Sequence, residues 1–292
     1  MSEENTMPSQ APQSAHAPQP ASSLLNMVSD FVWTAFRNRG LLAEMMTRDL
    51  KSGFAGHGLG TIWVYVQPIV VLLTFMLIFG VVIGAKMAVT NTFPGDYTSY
   101  ILAGLVPWLI TSNALGRGPS LFATHANLVK QVVFPVEILP VAGVAACFMI
   151  YIPCLVLLLG YKLIFGGGLS LFILLLPVVL GMHMVFALGL MLILSVITPF
   201  MRDIREFVGI YLVVAMYFTP AVYLPDWVPA MIRPVLYLNP LSYVVWVYQD
   251  VIFFGRIEHG FAWVVFTAMT AAAFLGGLLV FRKIKPFLGN VL

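Results

Sequence analysis

Long apolar runs separated by short polar stretches set the pattern of this chain. After a polar opening, continuous apolar segments occupy about 62–84, 98–116, 137–161, 171–198, 207–223 and 261–281. Each approaches the ~20 residues a helix needs to cross a ~30 Å hydrocarbon core, so the pattern predicts six transmembrane helices. Residues 24–56 read differently. Leu24, Leu25, Met27, Val28, Phe31, Val32 and Phe36 recur among Asn26, Asp30, Arg37 and Arg39, and Glu44, Arg48, Asp49 and Lys51 follow. Apolar positions at helical spacing, interrupted by charge, predict an amphipathic helix lying in the membrane interface. Buried in hydrocarbon, those charges would be costly. Between the fifth and sixth runs, residues 224–258 carry Pro225, Pro229, Pro234 and Pro240 yet stay rich in Leu, Val, Tyr and Trp. A stretch so broken cannot span, and it predicts re-entrant helices that dip into the membrane and return.

The expected fold class is thus an all-α integral membrane protein with three parts. Residues 1–23 form a disordered cytoplasmic tail, 24–56 an amphipathic interface segment, and 57–292 a six-span transmembrane domain. The tail, rich in Pro, Gln, Ser and Ala, holds too few large apolar groups to offset its ordering entropy. It lacks the basic start and apolar core of a signal peptide.

Composition agrees with this pattern. Of 292 residues, 60% are hydrophobic and 9% charged, where a soluble domain carries about 25% charge. A net charge of +3 supports no broad nucleic-acid-binding face. Distribution is more telling than the sum. With the N-terminus in the cytoplasm and six crossings, 11 of the 15 basic residues fall inside, and Lys86, Lys162, Arg233 and Arg256 fall outside. The excess of inner positive charge predicts cytoplasmic termini. Cys147 and Cys154 lie seven positions apart in one apolar run, about 10 Å along a helix, too far for a disulfide.

Chemistry-bearing motifs are scarce. No GxxxxGK[ST] loop for ATP is present, and the glycines of Gly56–Gly60 lead into a span rather than a nucleotide-binding helix. The predicted spans hold no acid at mid-depth, as an ion-coupled carrier would need, and no DxD or paired carboxylates, as a membrane glycosyltransferase would need. His183 is the ionisable group deep in a span, and reads as a helix–helix hydrogen-bonding partner or a proton relay. These features leave a passive channel or a motor-driven permease. Two cytoplasmic segments suit a partner: Arg117 to Pro135, with Asn127, Lys130, Gln131 and Phe134, and the charge cluster Met201 to Glu206. Both also serve as solvated loops whose charges fix topology. Phe207, Tyr211 and Phe218 follow at i, i+4 and i+11, placing rings on one face of the fifth run, for a sugar path or for ordinary packing.

Ordered motifs resemble one family. Asn127-Leu128-Val129-Lys130 followed by Phe134-Pro135-Val136-Glu137-Ile138-Leu139-Pro140 is similar to the NLVKK…FPxEILP loop of polysaccharide-exporting ABC-2 permeases. Arg48-Asp49-Leu50-Lys51, Gly104-Leu105-Val106-Pro107-Trp108, Arg202-Asp203-Ile204, Pro220-Ala221-Val222-Tyr223 and Leu238-Asn239-Pro240-Leu241 match in order. The resemblance runs from about residue 41 to the end. It departs from the family at Gly53–Gly60, where RYxxSxLG is usual, and at Gly289-Asn290, where Ala-Asp is usual.

What the resemblance implies is a permease subunit of an inner-membrane exporter. It pairs with a second copy of itself and with a separate ATP-binding cassette ATPase, and it moves a lipid-linked glycan such as O-antigen, capsule or teichoic acid. This chain is then no enzyme and binds no cofactor, ATP and magnesium residing on the partner. The loop with Asn127, Lys130, Gln131, Phe134 and Pro135 would contact the ATPase. Arg48, Lys51 and His57 would attract the pyrophosphate of the lipid carrier as charge-assisted donors. A small-molecule or drug exporter of the same superfamily and a motor-independent channel are the alternatives.

Overall fold

The computed structural model describes residues 24–52, 58, 60–83, 96–130 and 134–291. The tail, His57 and Gln131 lie outside the described residues. Every regular element among the described residues is helical. Helix α1 is Leu24–Arg37, α2 is Arg39–Ser52, and α3 is Trp63–Phe75, which continues as a π-helical stretch Met76–Ile83. Helix α4 is Tyr97–Arg117, and two single-turn helices follow, α5 (Leu121–Thr124) and α6 (Ala126–Val129). Then come α7 (Ile138–Ile164), α8 (Leu176–Ile197), α9 (Ile204–Tyr217), α10 (Pro234–Leu238), α11 (Pro240–Gln249), α12 (Gly260–Ile284) and α13 (Leu288–Val291).

Among the described residues five helical stretches are long and apolar enough to cross a membrane: Gly60–Gly80, Tyr97–Thr124, Ile138–Ile164, Leu171–Ile197 and Gly260–Phe287. The expected sixth span is different. Over 207–223 the helix ends at Tyr217 after 14 residues, about 21 Å, less than the core thickness. Its end is capped from afar. Asn239 Nδ2 donates to the Ala215 and Phe218 carbonyls and to Thr219 Oγ1, at 3.4, 3.2 and 2.7 Å. These contacts satisfy carbonyls that a continuing helix would have used, and Pro220 then keeps Thr219 away from helical backbone.

Two helices form the buried axis. Helix α4 begins at Asp96, whose carboxylate accepts the Ser99 amide at 3.0 Å, and nearly all of its first three turns are buried. Helix α11 starts on Asn239, whose Oδ1 accepts the Leu241 amide at 3.1 Å, with Pro240 in the first turn where no amide is needed. Every residue from Leu241 to Phe253 is buried. The helix widens into a π-turn at Asp250–Phe254 and stops at Gly255, whose φ of 61° lies in the left-handed region open to glycine. The segment 224–258 therefore holds one substantial helix preceded by short turns.

Around this axis stand α7, α8 and α12. Helices α8 and α12 pack the most closely, because Gly189 and Gly277 face each other at their crossing. A Cβ on Gly189 would collide with the backbone of Ala273 and Phe274, and one on Gly277 with Gly189 itself. Such small-residue contacts hold helices together where lipid supplies no hydrophobic drive. Helices α1 and α2, which meet at Asn38, lie against this bundle; Met27, Phe31 and Met45 are their buried anchors. Cys147 and Cys154 are free, buried thiols.

Candidate functional site: a basic end of the bundle and a half-length helix

At one end of the bundle the chain gathers its basic and loop residues. Arg48 and Lys51 on α2 are exposed. Asn127 and Lys130 are exposed on and just after α6, while Phe134 and Pro135 are half-buried. The loop is fastened at both ends. His125 Nε2 lies 3.1 Å from Asp49 Oδ1 on α2, and the Lys285 ammonium pairs with Glu137 immediately before α7. Arg282, on α12, reaches α1 through Asp30 at 3.2 Å and the Met27 carbonyl at 3.1 Å. Arg48, Lys51, Asn127 and Lys130 thus share one end of the molecule as unburied groups, with His57 and Gln131 outside the described residues.

Helix α9 presents the second candidate surface. Only Val208 and Ala215 of its residues are buried. Phe207, Ile210, Val213 and Tyr217 are 71%, 65%, 65% and 72% exposed. That face is apolar and aromatic, and no other described part of this chain covers it. The three rings expected to share a face do not have one environment. Phe207 is open, Phe218 is half-buried, and Tyr211 is 37% exposed, with its hydroxyl donating to Asn239 Oδ1 at 3.2 Å. Tyr211 also borders an apolar cavity of about 360 Å³ between α4, α8, α11 and α12, with Leu115, Phe186, Leu241 and Met269.

Inside the bundle Trp246 Nε1 and Gln249 Oε1 are buried without a hydrogen-bond partner among the described residues, whereas His183 is fully paired. His183 is fully buried. Its Nε2 lies 2.8 Å from Thr111 Oγ1 and its Nδ1 2.9 Å from the Tyr248 hydroxyl. Thr111 spends its single hydroxyl proton on the Pro107 carbonyl at 2.8 Å. Hence Nε2–H donates to Thr111, and Nδ1 accepts from Tyr248. The ring joins α4, α8 and α11 through two neutral hydroxyls.

A fully buried carboxylate stands at Asp250, which sequence reasoning did not single out. It accepts the His259 amide at 3.0 Å, His259 Nδ1 at 2.7 Å and Trp263 Nε1 at 3.0 Å, and Trp246 stacks on the His259 ring at 5.6 Å. Three donors compensate a charge that burial would otherwise make prohibitive. The available signal was one acid inside the apolar run from Val244 to Phe254.

The model of the ABC-2 type transporter family matches residues 41–253, which takes in Arg48, Lys51, the loop from Asn127 to Pro135, α9 and α11. The chain is 24% identical over 257 residues to the O-antigen export system permease protein RfbA of Klebsiella pneumoniae, covering 86% of this chain and 95% of that protein. It is 25% identical over 224 residues to the RfbA permease of Myxococcus xanthus, covering 76% and 84%. ABC-2 permeases are transport subunits without a catalytic domain, and they pair with an ATPase subunit. With multiple apolar spanning helices and a match across most of its length, the chain belongs to the ABC-2 type transporter family as a multi-pass membrane permease.

Proposed function

We propose that this permease moves a lipid-linked polysaccharide of the O-antigen type from the cytoplasm to the outer side of the inner membrane, driven by ATP that a separate cassette ATPase hydrolyses with magnesium. The substrate class follows the Klebsiella and Myxococcus relatives, which are named as O-antigen export permeases. The observation that carries the reading is the exposed face of α9, with Phe207, Ile210, Val213 and Tyr217. A half-length helix with bare rings suits the wall of a path completed by a second copy of the chain. Flat aromatic faces let successive sugars slide without strong directional bonds, and Phe207, Tyr211 and Phe218 are assigned to that wall.

In this reading both termini are cytoplasmic, and α9 together with the turn after it makes the sixth crossing. Helices α10 and α11 form the re-entrant region near the outer mouth. Arg48, Lys51 and His57 receive the pyrophosphate headgroup. Asn127, Lys130, Gln131, Phe134 and Pro135 meet the ATPase, whose docking is favoured by an exposed loop with fixed ends.

The test is reconstitution of the chain with its genomic-neighbour ATPase in vesicles holding a lipid-linked glycan. ATP-dependent appearance of glycan on the far side supports the reading; glycan movement without any ATPase partner favours a channel. A small-molecule exporter is the second reading, favoured by the apolar cavity beside Tyr211, whose ~360 Å³ falls in the range of drug-sized sites. ATPase stimulation by apolar drugs but not by glycan would select it.

A further inference from the structure

The charged contacts at the cytoplasmic end form a closed circuit. His125 and Asp49 tie the loop to α2. Glu137 and Lys285 tie the loop's far end to the C-terminal turn. Arg282 ties α12 to α1 through Asp30, and α1 leads into α2 through Asn38. The exposed residues Asn127 and Lys130 hang between the first two anchors.

The two anchors differ in what they hold. His125 is the joint between α5 and α6, at φ −110° and ψ 24°. Its carbonyl accepts the Leu128 and Val129 amides at 2.9 and 3.2 Å, so α6 is built on it. Any turn of α6 must move this backbone. Upstream, Leu121 and Phe122 are buried and cannot follow. The far anchor, Glu137, leads into α7, whose first turns are deeply buried. Helix α2 is the less deeply buried body: among its described side chains Met45 alone is buried, while Leu41, Leu42, Met46 and Leu50 pack part-buried against the core. The His125 and Asp49 side chains are 9% and 13% exposed, so water competes little for their contact. Asp49 adjoins Arg48 and stands two residues before Lys51.

We propose that His125 is a positioning residue: it passes the load of an ATPase docked on 126–135 to α2 through Asp49, and so moves the exposed basic face of Arg48 and Lys51. The inference rests on the reading of that loop as the ATPase contact. The displacement goes to α2 because its other neighbours are packed, and packed interiors are not continuously deformable.

The experiment is glycan moved per ATP hydrolysed in vesicles holding the full chain and its ATPase. Wild type comes first: a complex that hydrolyses ATP without moving glycan overturns the functional reading before any variant is made. With wild type active, His125→Ala and Asp49→Asn each lower the ratio about tenfold, while the complex still co-purifies. The double variant falls no further, and the exchange His125→Asp with Asp49→His recovers at least half. An unchanged ratio in the singles, additive losses in the double, or an assembled exchange variant as poor as the singles overturns the proposal. If the variants fail to assemble, spin labels at exposed Glu44 and Lys283 in the otherwise wild-type complex decide it. A distance change on ATP binding supports the proposal, and a static distance overturns it.

Discussion

The Nδ1 atom of His183 lies 2.9 Å from the Tyr248 hydroxyl, and this contact fixes the buried helix α11 to the long helix α8. Because Thr111 takes the other ring nitrogen, one side chain holds three helices in register.

Replacing His183 by Leu leaves both hydroxyls without that partner. Hydrogen bonds between membrane helices contribute about 0.6 kcal/mol on average and up to about 1.7. His183→Leu is expected to cost about 1–2 kcal/mol and Tyr248→Phe about 1. Thermal unfolding in detergent measures both, and equal stability of His183→Leu and wild type would remove the bonding role.

Asp250 gathers donors from His259 and Trp263. Asp250→Ala orphans the buried His259 amide and the Trp263 indole, and breaking such a buried cluster costs about 3–5 kcal/mol. Loss of folded yield is expected, with Asp250→Asn losing less because its carbonyl still accepts. Fluorescence-detected size exclusion, comparing the two variants, checks the order.

Gly189 and Gly277 set the distance between α8 and α12. Ala at either position meets backbone rather than a movable side chain, so the helices must part. The expected result is a marked drop in thermal midpoint for Gly189→Ala, while Gly181→Ala, where a Cβ meets open space, leaves it within error.

Arg48 and Lys51 are exposed and are assigned to an anionic headgroup. Neutralising both as Gln is expected to lower glycan export several-fold with the complex intact, and the wild-type rate should fall with added salt as screening grows. Retention of full export by the double variant would place headgroup capture elsewhere.

Legibility in the sequence followed the range of the forces involved. The five long helices were readable because bilayer thickness and backbone satisfaction act on continuous stretches. The early end of α9 was not, because its cap comes from Asn239, 24 residues after Ala215. Pro220 within the run 207–223 was the local hint. Asp250 was passed over for the same reason: its donors enter the chain 9 and 13 residues later, and the prolines of 224–258 pointed to re-entrant helices rather than to a buried acid. The loop residues from Asn127 to Pro135 could be picked out by motif, but the fastening of their loop by Asp49 and Lys285, 148 residues from Glu137, belongs to tertiary structure.

The Asp250 cluster also constrains how the protein is made. The carboxylate leaves the ribosome before the indole of Trp263, and at about 5–20 residues per second the gap of 13 residues lasts roughly one to three seconds. During that interval α11 holds an uncompensated acid and cannot settle in hydrocarbon. Insertion of Pro240 to Trp263 as one unit avoids the cost of an unpaired acid in hydrocarbon. A nascent chain truncated before His259 is then a substrate for membrane quality control, whatever the state of the helices already in place.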